Sequence, residues 1–123
     1  MNATKSQRID ERLGALTERA PGVEAAAVIS IEGLLIAASM PATLREDVLE
    51  AMSAAMLALG ERIAADLDRG RLDQVYVKGE AGFVLLMAID DYALLTTLAA
   101  DEAKLGLVHL DMREAVADLK RLL

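Results

Sequence analysis

Hydrophobic positions along the chain switch several times between the spacing of a helix and that of a strand. Ile9, Leu13, Leu16 and Ala20 recur at three- and four-residue steps within residues 5–20, which predicts an amphipathic helix ended by Pro21 and Gly22. Two short apolar runs follow, EAAAVISI and GLLIAAS, separated by Glu32 and Gly33. That punctuation predicts two strands joined by a tight turn. Both runs are apolar at nearly every position, so both faces of their sheet are expected to be covered.

The longest pattern runs from Thr43 to Gly70. Ala51 to Gly60 holds no charge, so a helix there is apolar almost all the way round and cannot turn one side to water. Val48, Met52, Ala55, Met56, Leu59, Ile63 and Leu67 form one stripe, assigned to the protein's own core. Ala51, Ala54, Ala58 and Ala65 form another face, small enough for a second copy of the chain to approach closely. Thr43 and Glu46 have the spacing of a capping box at the helix start, and Gly70 is placed for a left-handed stop. Gly60 should cost about 1 kcal/mol relative to alanine inside a helix, which packing against the backbone there would explain; a buried single-chain helix with an incidental glycine is the alternative to a dimer helix.

Residues 72–78, LDQVYVK, alternate: Val75 and Val77 point one way, Gln74, Tyr76 and Lys78 the other. With its charges this reads as an edge strand. GEAG makes a hairpin into FVLLMAI, and Asp90 with Asp91 turns that run into YALLTTLA. These two strands, apolar on both sides, belong in the middle of the sheet. Asp101 is placed to cap a closing helix whose stripe is Leu105, Val108, Met112, Ala115, Val116, Leu119 and Leu122, opposite Asp111, Glu114, Asp118 and Arg121. The order is helix, strand, strand, helix, three strands, helix, with antiparallel pairing across the short turns. The expected class is α+β: a three-layer α/β sandwich in one domain spanning residues 1–123.

Composition sharpens this picture. Hydrophobic residues make up 54% of the 123 residues and aromatics 2%, so the core must be aliphatic. A small chain with this much apolar sequence tends to bury some of it between subunits. A net charge of −7 without a basic run argues against nucleic acid and against an anionic membrane. Zero cysteines excludes a disulfide framework, a thiolate metal site and a cysteine nucleophile, and fits the cytoplasm. MNATKSQRIDER has no apolar core of a signal peptide, and no uncharged run approaches the length of a membrane span.

No catalytic constellation is visible, and no metal or cofactor is expected. The only histidine, His109, lacks a second histidine or a cysteine for a triad or zinc site. The carboxylate pairs Asp66 with Asp68, Asp90 with Asp91 and Asp101 with Glu102 fall at helix ends and turns, where caps explain them. GEAG leads into a strand, whereas a phosphate-binding loop opens a helix. Arg45, Arg62, Arg69, Arg71 and Arg113 are candidates for donation to a partner's transition state by position only. The six methionines read as core filler.

The EGLLI hairpin at Glu32 to Ile36, the alanine-rich AMSAAMLALGERIA helix, the GEAG hairpin before FVLLMAI and the KLGLV opening of the last helix stand in an order and spacing that resemble the roadblock (dynein light chain) family, over about residues 9–120. The resemblance implies a five-stranded antiparallel sheet with the central helix on one face and the terminal helices on the other. It implies homodimers in which central helices pair and the following edge strands join two sheets, here through Ala51, Ala54, Ala58, Ala65, Val75, Tyr76 and Val77. Family members are dimeric platforms for small Ras-like GTPases. The gliding-motility polarity regulators among them act on the GTPase's switch regions without inserting an arginine. The expected protein is therefore a non-enzymatic homodimer that binds and regulates a small Ras-like GTPase in signalling, polarity or motility. A structural subunit of a larger assembly is the alternative. A small-molecule sensor is disfavoured by apolar sheet faces and few aromatics.

Overall fold

The computed structural model describes residues 3–123. Its elements are α1 (Lys5–Arg19), β1 (Val23–Ser30), β2 (Leu35–Ser39), α2 (Glu46–Asp66), β3 (Gln74–Gly79), β4 (Gly82–Ala88), β5 (Ala93–Ala100) and α3 (Leu105–Leu122). The five strands pair antiparallel in the order β2-β1-β5-β4-β3. Two hairpin groups thus meet along β1 and β5, and α2 is the connection between them. The sequence-based order and class are those observed.

Two apolar layers flank the sheet. On one side Ile9, Leu13 and Leu16 of α1 and Val108, Met112, Ala115 and Leu119 of α3 close over Val28, Leu85, Met87 and Leu95. The helical stripes read from the sequence supply this layer, and the Arg12 guanidinium ties α1 to the Asp118 carboxylate of α3 at 2.7 Å. On the other side α2 alone sets Leu57, with half-buried Leu49 and Met56, against Ala27, Ile29, Leu86 and Leu94. Five strands span about 19 Å at roughly 4.8 Å per spacing. One helix is about 10 Å wide, so α2 covers only half of its face.

The helix ends differ from the expected caps. Thr43 and Glu46 make no capping box, because α2 begins at Glu46 itself and its N-cap, Arg45, has no side-chain bond. A capping box needs the acidic residue three positions into the helix, and here it stands at the first. A capping box does form at α1, where Thr4 Oγ1 accepts from the Gln7 N–H and the Gln7 side chain accepts from the Thr4 N–H. At the far end of α2 Gly70 does take a left-handed φ of 80°, but the helix cap itself is made two residues earlier, at Asp68 (φ 55°). The Asp68 N–H donates to Ala65 O at 3.2 Å and the Arg69 N–H to Ala64 O at 2.6 Å, the paired bonds of a Schellman cap. Asp101 does not cap α3; its carboxylate accepts from Lys78 Nζ at 2.6 Å and the N-cap is Lys104.

The sheet also has a second edge. β3 is the edge strand its alternation predicts, but β2 is the other, and its Ile36 is exposed. Uniform apolarity marked β1 correctly as covered on both faces and overstated the cover of β2.

Candidate interaction surface

The side of α2 that meets the sheet is not the expected stripe. Only Ser53 and Leu57 of α2 are fully buried. Ser53 Oγ lies 3.0 Å from Thr96 Oγ1 on β5, each satisfying the other, and Glu50 Oε2 accepts from the Leu35 N–H at 3.2 Å. A little farther along, a Cβ on Gly60 would stand 2.8 Å from Val75 Cγ2 and 3.0 Å from Leu72 Cδ2. This is the close packing against the helix backbone that the unexplained glycine called for.

Apart from half-buried Met56, the stripe assigned to the core is therefore turned outward, a correction with a simple cause. Met52 is 55% exposed and Leu59 61%, with Val48, Ile63 and Leu67 also exposed. A helix apolar on nearly every side carries no periodic signal for which side faces its own sheet. Small and hydrogen-bonded groups decided it, because Ser53 and Gly60 let the helix approach the sheet most closely. Ala51, Ala58 and Ala65 are exposed as well, on the flank of the same outer surface, while Ala54 is half-buried against the chain's own turn at Gly33.

Beside this stripe the sheet is bare. A groove of about 400 Å³ runs between Val48, Met52 and Met56 of α2 and Val84 and Leu98 of β4 and β5. It continues over the sheet corner formed by Val77, Val84 and Leu98. On β3, Val75 is half-buried on the α2 side, whereas Tyr76 and Val77 are exposed. The Tyr76 ring meets Phe83 on the opposite face, with centroids 5.6 Å apart and planes tilted by 60°. β3 pairs only with β4, so its outer edge of backbone donors and acceptors is unpaired among the described residues. Exposed helix stripe, groove and strand edge form one surface.

Among the described residues no group of three metal-ligating side chains converges, and no helix is long and apolar enough to cross a membrane. His109 sits half-buried on α3 with its Nε2 3.2 Å from the Gln74 side-chain amide. Arg45 pairs with Asp47, Arg62 with Asp66, Arg71 with Asp91 and Arg113 with Asp73, so four of the five candidate arginines are spread over separate ion pairs, while Arg69 stands exposed after α2.

The Arg113–Asp73 pair joins α3 to the residue before β3. The hydrogen bond from Arg113 holds the Asp73 carboxyl below its ordinary value of 3.8 against a smaller opposing effect of burial, with further help from the charges of Arg113 and His109. A lowered folded-state value stabilises the fold above the ordinary carboxylate range and is lost as pH falls through the lowered value. Both side chains are largely solvent-screened, so the wild type should exceed Asp73→Asn by well under about 1 kcal/mol at neutral pH. Urea denaturation should show that difference vanish as the pH drops below 3.8.

The family model described as the Roadblock/LC7 domain matches residues 9–99 of this chain. The uncharacterized protein MJ1340 of Methanocaldococcus jannaschii is 29% identical over 99 residues, covering 80% of this chain and 86% of that one. Myxococcus xanthus MglB superposes with a TM-score of 0.89 at 17% identity, over 99% of this chain and 92% of that one. The gliding protein mglB of Thermus thermophilus does so with a TM-score of 0.86 at 21% identity, over 99% and 93%. At such identities these structures establish a shared fold.

Proposed function

We propose, from the premise that this chain belongs to the Roadblock/LC7 domain family, that it is a cytoplasmic homodimer without catalytic residues that binds a small Ras-like GTPase and modulates its nucleotide cycle. The observation that carries the dimer is the half-covered face of the sheet. A second α2 laid beside the first would fill the groove, bury Val48, Met52, Leu59 and Ile63, and cover Val77 and Val84. Two β3 edges would then meet and satisfy each other's backbone groups, with Tyr76 and Val77 at the join and Ala51 and Ala58 flanking the helix pair. Val75 supports that strand from beneath, and Ala54, occupied by its own turn, drops from the seam. Ala65 lies on the same outer flank, near the end of α2.

The GTPase reading rests on the family and on the likeness to gliding proteins named MglB. It agrees with a surface built for association and with the dispersal of four of the five candidate arginines into separate pairs. A regulator of this kind supplies shape, while the partner supplies the nucleotide chemistry. The test uses the purified chain and a P-loop GTPase encoded beside its gene. A stable complex with a changed rate of GTP hydrolysis or nucleotide exchange is expected. Binding without any change in turnover would move the protein to the role of scaffold, and absence of binding would overturn the reading.

A further inference from the structure

At the end of the sheet that carries the β1–β2 and β4–β5 turns, a second apolar surface stands away from the proposed seam. The Ile31 N–H donates to Tyr92 O at 3.0 Å, and the Ser30 N–H in turn donates to Leu34 O at 2.9 Å, so Leu34, Ile31 and Tyr92 are held side by side. Tyr92 is 74% exposed and Leu34 64%, with Ile31 and Ile36 also open to solvent. The turn that presents Tyr92 is fixed, because Asp90 Oδ1 accepts from the N–H groups of Tyr92 at 2.8 Å and Ala93 at 2.9 Å. A rigidly presented tyrosine among aliphatic side chains is the composition of a binding anchor.

Beside Ile31 opens a cleft of about 200 Å³. Its floor is apolar, made by Leu57, Leu72 and Leu94, and its rim holds Glu61, Asp90, Asp91 and Arg71. Arg71 is already paired with Asp91, and Glu61 has no ion-pair partner among the described residues. With Glu32 exposed on the neighbouring turn, the rim is net acidic. Such a cleft is complementary to one long basic side chain, whose methylenes lie on the floor while the cation reaches the carboxylates.

We infer that this end of the sheet docks a segment of another protein that presents a lysine or arginine beside aliphatic residues. Charge complementarity selects that occupant over a second copy, since two copies meeting here would bring like-charged rims together. Docking here does not depend on GTPase binding, and the surface lies at the sheet end that carries the β1–β2 and β4–β5 turns and the lead-in to β3, whereas the groove of the proposed seam lies between Val48, Met52 and Met56 of α2 and Val84 and Leu98.

The probe is a short synthetic peptide with one lysine between leucines, titrated into the isotopically labelled full chain and followed by amide chemical shifts. The lysine peptide is expected to move Ile31, Leu34, Asp90 and Tyr92 most. Tyr92→Ala and Glu61→Gln should each weaken binding about tenfold, the effect of losing one anchor. Met52→Glu, on the proposed seam, should leave it unchanged. Replacing the peptide's lysine by glutamate should abolish it, and added salt should weaken it. Equal binding of the glutamate peptide, shifts centred elsewhere, no shifts at all, or full binding by both cleft variants would overturn the inference.

Discussion

Leu59→Glu is expected to give a folded monomer. Leu59 is 61% exposed on the single subunit, so a carboxylate there meets water and leaves the subunit's own fold intact. In the proposed dimer the same carboxylate would be buried against the partner's aliphatic stripe without a counter-charge. An unpaired buried charge costs about 4 kcal/mol, or roughly a thousandfold in the dissociation constant. Light scattering should report monomer mass at concentrations where the wild type is a dimer, with an unchanged far-ultraviolet spectrum. A dimeric Leu59→Glu would place the seam elsewhere.

The alanine variants separate the two readings of α2. Ala58→Glu, on the exposed flank, should weaken the dimer less than Leu59→Glu. Ala54→Glu should instead destabilise the subunit itself, because that side chain faces the chain's own turn at Gly33.

Gly82→Ala is expected to cost the fold about 3–4 kcal/mol, combining backbone strain with overpacking. Gly82 opens β4 with φ +149°, and an added Cβ would fall 2.2 Å from Ala99 O and 3.2 Å from Ala99 C. Those are backbone atoms of β5, which is paired on both sides, with β1 and β4, and has no room to retreat. The melting temperature should fall by roughly 10–15 °C. Gly14→Ala is the control: nothing lies within 4 Å of its added Cβ inside α1. That variant should gain up to about 1 kcal/mol from helix propensity. A Gly82→Ala protein as stable as the wild type would mean that the β4–β5 register is not the one described.

Local chemistry was legible wherever one periodicity had one interpretation. Ile9, Leu13 and Leu16 against charged neighbours leave α1 a single way to sit, and the alternation of Val75 and Val77 with Gln74, Tyr76 and Lys78 marks an edge strand. The caps were less legible. Thr43, Asp101 and Gly70 each stand within reach of a helix end, yet tertiary pairing drew Asp101 to Lys78, and the cap of α2 formed at Asp68, two residues before the left-handed Gly70. The Leu34, Ile31 and Tyr92 surface had no local signal, since β1–β5 pairing brings Tyr92 beside residues some sixty positions earlier.

By itself the sequence determined the elements, their order, the antiparallel pairing of neighbours and the excess of aliphatic surface, because each depends on side chains close in the chain. Tertiary structure alone decided which side of α2 is turned inward and therefore which residues remain for a partner. Around an almost uniformly apolar helix the hydrophobic effect prefers no direction. The choice fell to short-range terms made only on contact with the sheet: the Ser53–Thr96 hydrogen bond and the fit of Val75 and Leu72 against Gly60.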